Sequence, residues 1–139
     1  MFILWVGFFF FNGASGLDMF GPRKNGPSKI ILNTAIASAM SGLVAVFLKP
    51  YSDSKYMKVN QFDVGVLCNG ILSGLVSICA ACNAVEPYAA CIIGSIAGLV
   101  FILGVKLEAK IKLDDPVDAF ALHLCCGAWG IISAGFFHN

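Results

Sequence analysis

The sequence predicts an all-α, polytopic membrane bundle, and three observations point that way. Hydrophobic residues make up 58% of the 139 positions and charged residues 12%, whereas a soluble domain carries roughly a quarter charged residues. The charges gather between apolar blocks and do not run through them. Within the blocks, small residues recur at i, i+4 (Ser38 and Gly42, Gly70 and Gly74, Gly94 and Gly98, Gly130 and Ala134), a spacing that lets helix backbones approach closely in lipid. A net charge of +1 leaves no excess of either sign to recruit nucleic acid.

Five apolar stretches, approximately 1–15, 28–48, 63–82, 88–106 and 117–137, come near the roughly 20 residues that a helix rising ~1.5 Å per residue needs to cross the hydrocarbon core. The first is short, which leads us to expect that the natural start lies upstream. A secretory signal peptide is the competing reading there, because Ala14-Ser15-Gly16 has the residue sizes of a cleavage site. No Lys or Arg precedes the apolar run, and signal peptides carry a positive segment at that place.

The connections are polar and turn-rich: Gly21 to Pro27, Pro50 to Asn60, Glu86-Pro87, and Lys110 to Pro116. Arg23, Lys24 and Lys29 fall after the first span, whereas Lys49, Lys55, Lys58, Lys106, Lys110 and Lys112 fall after the second and fourth. The positive-inside rule makes the connections after spans two and four cytoplasmic. The last span then runs outward, with Asp114 and Asp115 inside and His138 at the outer interface.

Six cysteines (Cys68, Cys79, Cys82, Cys91, Cys125 and Cys126) all lie in apolar stretches and read as small membrane-embedded thiols. Cys79 and Cys82 have C-x-x-C spacing, but no second such pair completes a zinc ribbon. No metal and no cofactor are expected. Without a nucleotide-binding loop or a Ser-His-Asp series, an enzyme is not expected either.

The last span holds the candidate chemistry. Asp115 reads as an N-cap, Pro116 as the first helical residue and Asp118 as the third, all favoured at a helix start. His123 then follows about two turns, or roughly 10 Å, inside the helix. The i±3 and i±4 rule puts Ala119, Cys126, Gly127, Gly130 and Ala134 on its face. An ionisable residue within a span is a functional candidate, and burial there favours the neutral imidazole. Phe8 to Phe11 close the first span as an interfacial aromatic belt or a cation-attracting cage. Asn33 and Asn69 are expected to hydrogen-bond between helices.

Four blocks carry a family resemblance. They are Asp115-Pro116-Val117-Asp118-Ala119-Phe120-Ala121-Leu122-His123 with Cys126-Gly127-Ala128-Trp129-Gly130; Cys68 to Gly74; Ala81-Cys82 with Val85 to Ala90; and Gly7 to Ser15. In this order they resemble the ammonium transporter (Amt/Mep) family, plant-type members in particular, over almost the whole chain. The resemblance implies the second of two inverted five-helix repeats, helices six to ten of eleven, an architecture common in transporters. It further implies a homotrimer in a cell membrane, passing ammonium or ammonia through an apolar pore lined by a histidine pair.

By position, His123 looks like the second histidine of that pair, Phe11 like an aromatic gate and Ser15 like a serine that helps recruit ammonium. Leu4 and Ala119 match pore-lining positions, and Asp118 a structural carboxylate. Leu124 and Cys125 depart from the glycine-rich residues usual after this histidine, and Phe10 stands where the family has a glycine. A second expectation is a non-conducting fragment or assembly module that needs the missing first half. A third is a membrane metal or redox protein using Cys79, Cys82, Cys125, Cys126 and His123.

Overall fold

The computed structural model describes residues 1–16, 26–53 and 63–137. Arg23, Lys24, Lys55, Lys58 and His138, with most of the first two connections, lie outside the described residues. Among the described residues, five α-helices form an all-helical bundle: α1 (Phe2–Ser15), α2 (Gly26–Asp53), α3 (Val64–Ile78), α4 (Pro87–Ile111) and α5 (Cys126–Phe137), with a π-helical segment, Phe120–Cys125, leading into α5.

Among the described residues, three helical stretches are long and apolar enough to cross a membrane, namely Gly26–Lys49, Pro87–Ile111 and Phe120–Phe137. Helices α1 and α3 are shorter apolar helices. After Ile78 the chain goes on through tight turns, with the Ala81 N–H on the Ile78 carbonyl and the Val85 N–H on the Ala81 carbonyl. Helix α3 therefore stops at Ile78, before the expected Cys82, and a side chain from α2 secures the turns that follow. The Asn33 amide, fully buried on α2, donates to the carbonyls of Cys82 (3.0 Å) and Val85 (2.8 Å). Non-helical backbone is tolerated at apolar depth only when its polar groups find partners inside the protein.

Helices α2 and α4 outlast the apolar stretches that announce them. Lys106 to Ile111 are strong helix formers, so the hydrogen-bond ladder of α4 continues past the expected Lys106 until Lys112 turns left-handed (φ 57°). Helix α2 continues through Pro50, which costs one ladder bond near the helix end and leaves the rest intact.

Helix α2 is the hub, packing on α1, α3 and α4. Small residues make this possible. A Cβ added at Gly74 would lie 2.5 Å from the Ala37 carbonyl oxygen, one at Gly98 2.8 Å from that of Ser41, and one at Gly94 would fall on the Ala37 backbone. Hydroxyls seal the seam: Ser41 and Ser73 meet at 2.7 Å, and Ser77 donates to the Cys126 carbonyl at 2.9 Å. At the end where α2 begins, Lys29 pairs with Glu86 at 2.6 Å.

Candidate functional site

The route into the last span departs from the expected one. Asp118 adopts a left-handed conformation (φ 55°), which is open to Asp at modest cost because its short polar side chain bonds locally or nearby. Its Oδ2 accepts from the Asn69 amide on α3 at 3.0 Å. A helix cannot run through such a residue, so Asp118 is not a third helical position, and the helix begins at Ala119 and Phe120. Asp115 reaches across the gap. Its carboxylate accepts from the Phe120 N–H at 2.7 Å and the Val117 N–H at 3.3 Å. These backbone donors, Phe120 foremost, hold its carboxyl below the usual carboxylate range.

His123 therefore sits in the first turns of the last helix, not two turns inside it. The segment Phe120–Cys125 is π-helical, and the Cys126 N–H reaches back to the carbonyls of Ala121 and His123. A π turn holds an extra residue, which rotates everything after it by about 100° relative to an α-helix. The expected stripe of small residues beside His123 is broken by this rotation. Cys126 is fully buried, its thiol on the Ala97 carbonyl of α4, and a Cβ at Gly130 would press 2.6 Å from the Ser77 carbonyl oxygen of α3. His123 and Leu124 are exposed instead. The burial expected of the imidazole is not provided by the described residues.

On α1, Leu4 and Phe11 are 52% and 63% exposed. Phe11 stands edge-on to Phe8, ring centroids 6.1 Å apart. The Ser15 hydroxyl donates to the Phe11 carbonyl at 2.7 Å. Ala119 is half-buried at the start of the π segment. Helix α1 touches α2 and α3 but neither the π segment nor α5, whereas α3 touches all of them. Leu4, Phe11 and Ser15 form one group, His123 and Ala119 another, and α3 is the element common to both.

Several positioning residues escaped the sequence reading. Glu108 is 5% exposed and accepts from the Ala121 N–H at 2.6 Å. Its spacing of four residues from Gly104 was the available signal, since it puts both on one face of α4. Asn12, 1% exposed, donates to Thr34 at 3.1 Å, and the Trp129 indole N–H donates to the Ile93 carbonyl at 3.1 Å. Among the described residues, no three His, Cys, Asp or Glu side chains are grouped to hold a metal ion. The six cysteines are free thiols.

The family model described as Ammonium Transporter Family matches residues 1–139. Ammonium transporter 1 member 1 of Solanum lycopersicum is 38% identical over 98% of this chain and 28% of its own length. Among solved structures, Mep2 of Saccharomyces cerevisiae superposes with a TM-score of 0.86 at 29% identity, covering 98% of this chain and 29% of that one. A structure described as Sensor Amt Protein gives a TM-score of 0.85 at 36% identity, covering 99% of this chain and 32% of that one. The chain spans 30% or less of the length of the first curated relatives it matches. With the family pattern running along its full length, and its helices superposing on solved Amt and Mep proteins, the chain belongs to the ammonium transporter family.

Proposed function

We propose that the chain supplies one wall of a path for ammonium or ammonia across a cell membrane, with His123 as one member of a histidine pair. The observation that carries this reading is the exposed His123, presented by a π turn on a helix otherwise made of apolar and small residues. π turns in helices are frequent at functional sites, and an ionisable group at membrane depth is costly unless it has work or a partner.

The site residues fit steps of such a passage. A charged group at the bilayer centre costs about 2.5–3.5 kcal/mol or more, so ammonium has to be compensated or deprotonated on the way. The open ring face of Phe11 offers cation–π attraction at the entrance. Ser15 donates its proton to the Phe11 carbonyl, which leaves its oxygen lone pairs free to accept from an ammonium N–H. Farther in, Leu4 and Ala119 present apolar surface suited to uncharged ammonia. The His123 imidazole accepts a hydrogen bond or relays a proton, together with a second histidine from outside this chain. Asp115 and Asp118 hold the start of the helix that presents it.

The complete assembly is a homotrimer in this reading. The connections after α2 and α4 face the cytoplasm, and the pairing of Lys29 with Glu86 fits an outer end shared by the other connections.

A second reading, that the chain by itself does not conduct, is favoured by a specific observation: its two groups of site residues do not touch. A single wall encloses no path. Two experiments test these readings. In a transporter of full family length carrying this chain as its matching segment, His123→Ala is expected to abolish or change the electrogenic ammonium current. Unchanged uptake and unchanged current would sink the assignment. Expressed alone in cells deficient in ammonium uptake, the chain is expected to give no growth rescue, and rescue would refute the one-wall argument.

A further inference from the structure

The π turn that presents His123 is seated on two residues of α4. At Gly104 the backbones come so close that an added Cβ would lie 2.7 Å from the Ala121 Cβ and 3.0 Å from its Cα. One helical turn later, on the same face, Glu108 turns its carboxylate inward and takes the Ala121 N–H at 2.6 Å. Glu108 is the one acidic residue of α4 and is nearly fully buried, unlike Lys106, Leu107, Ala109 and Lys110 around it.

A helix start leaves its first N–H groups without partners inside the helix. Here Phe120 uses Asp115, Leu122 uses the Asp118 carbonyl at 2.9 Å, and Ala121 uses Glu108. Glu108 is thus the contact that ties this turn to α4 by a side chain, two residues before His123. Without it, the Ala121 N–H is left buried and unpaired, and the turn loses the side chain that holds its register against α4; a one-residue change of register, from π to α, turns His123 by about 100° about the helix axis.

We propose that Glu108 is a positioning residue for His123: its carboxylate, seated beside Gly104, fixes the π register that aims the imidazole. This rests on the reading of His123 as a pore residue. The substrate never meets Glu108, so its loss acts on the rate of passage and not on capture at the Phe11 entrance.

The test uses a transporter of full family length carrying this chain, with methylammonium uptake measured against concentration. Glu108→Ala is expected to lower the maximal rate by on the order of 10- to 100-fold, the scale of misplacing a reacting group by about 1 Å, while the half-saturating concentration moves less than about twofold. Glu108→Gln keeps an acceptor oxygen at the same reach and is expected to restore most of the rate. Gly104→Ala, which pushes the turn away without touching the carboxylate, is expected to resemble Glu108→Ala. A normal rate for Glu108→Ala, or a Gln variant as impaired as the Ala variant, would overturn the proposal. Should Glu108→Ala not accumulate in the membrane, the Gln and Gly104→Ala variants decide alone: a Gln variant near the parent rate with a slow Gly104→Ala variant supports it, and the reverse overturns it. His123→Ala is run alongside. A wild-type rate there breaks the pore reading itself, whereas a slow His123→Ala with a normal Glu108→Ala breaks this inference alone.

Discussion

The seam among α2, α3 and α4 and the surface formed by α1 and the π turn are built from the same apolar vocabulary and end in opposite states. In the seam, Gly70, Gly74, Gly94 and Gly98 bring backbones into contact, and every serine that faces inward finds a partner. On the open surface, Phe10, Phe11, His123 and Leu124 remain uncovered. Among the described residues, no helix covers the large side chains there, and the imidazole is left open. The seam is finished by this sequence alone, while the open surface waits for lipid or further helices.

Substitutions that add volume should separate the two regions most sharply. Gly94→Val drives a branched side chain into the Ala37 backbone. Overpacking of this kind costs about 1–3 kcal/mol or more, so a large fall in the melting temperature of detergent-purified protein is expected. Gly7→Ala and Gly135→Ala meet nothing within 4 Å and should leave melting unchanged or slightly raised, by the better helix propensity of Ala. Equal losses at Gly94 and Gly7 would erase the distinction between a finished seam and an open face.

A smaller effect is expected from the seam's hydroxyls. Ser41→Ala leaves Ser73 its bond to the Gly70 carbonyl at 2.7 Å, so the loss should stay near the average of ~0.6 kcal/mol for interhelical hydrogen bonds in membranes. A double-mutant cycle of Ser41 with Ser73 measures it. At the surface, the Lys29–Glu86 pair, with side chains 35% and 45% exposed, should contribute at most about 1 kcal/mol and less in high salt. Melting of Lys29→Met at low and high ionic strength checks this.

The smallest expected effect concerns pH at the helix start. Asp115 is held below the usual carboxylate range by the N–H of Phe120 first and of Ala119 and Val117 after it. Its contribution is therefore complete above the ordinary carboxylate pKa and is lost as pH falls through the lowered native value. Melting measured from neutral to acid pH should fall off less steeply in Asp115→Asn than in the parent chain. A parallel decline in both would remove Asp115 as the source.

Much of the seam could be read from the sequence, because lipid-embedded helices meet through small residues and i, i+4 spacing reports them directly. Gly70, Gly74, Gly94 and Gly98 all lie at backbone contacts. The helix ends were less legible. Hydropathy marks where apolar residues stop, but α4 stops where Lys112 turns left-handed, and α3 stops at Ile78, ahead of turns whose Cys82 and Val85 carbonyls Asn33 holds. At the candidate site, the i±3 and i±4 rule joins His123 to a stripe of small residues from which the π turn separates it, and the left-handed Asp118 starts the helix later than the capping pattern suggests. The π turn meets Glu108 from α4, and the left-handed Asp118 before it meets Asn69 from α3, contacts that no local periodicity reveals.

The central claim is that the surface bearing His123 is the inside of a pore and not a lipid face. An experimental structure of a full-length transporter containing this chain tests it most directly. A second histidine, from outside these residues, is expected within hydrogen-bond distance (~3 Å) of the His123 imidazole, with Phe11 at the mouth of the same path. His123 directed at lipid, with no polar group from the rest of the protein in reach, would contradict it.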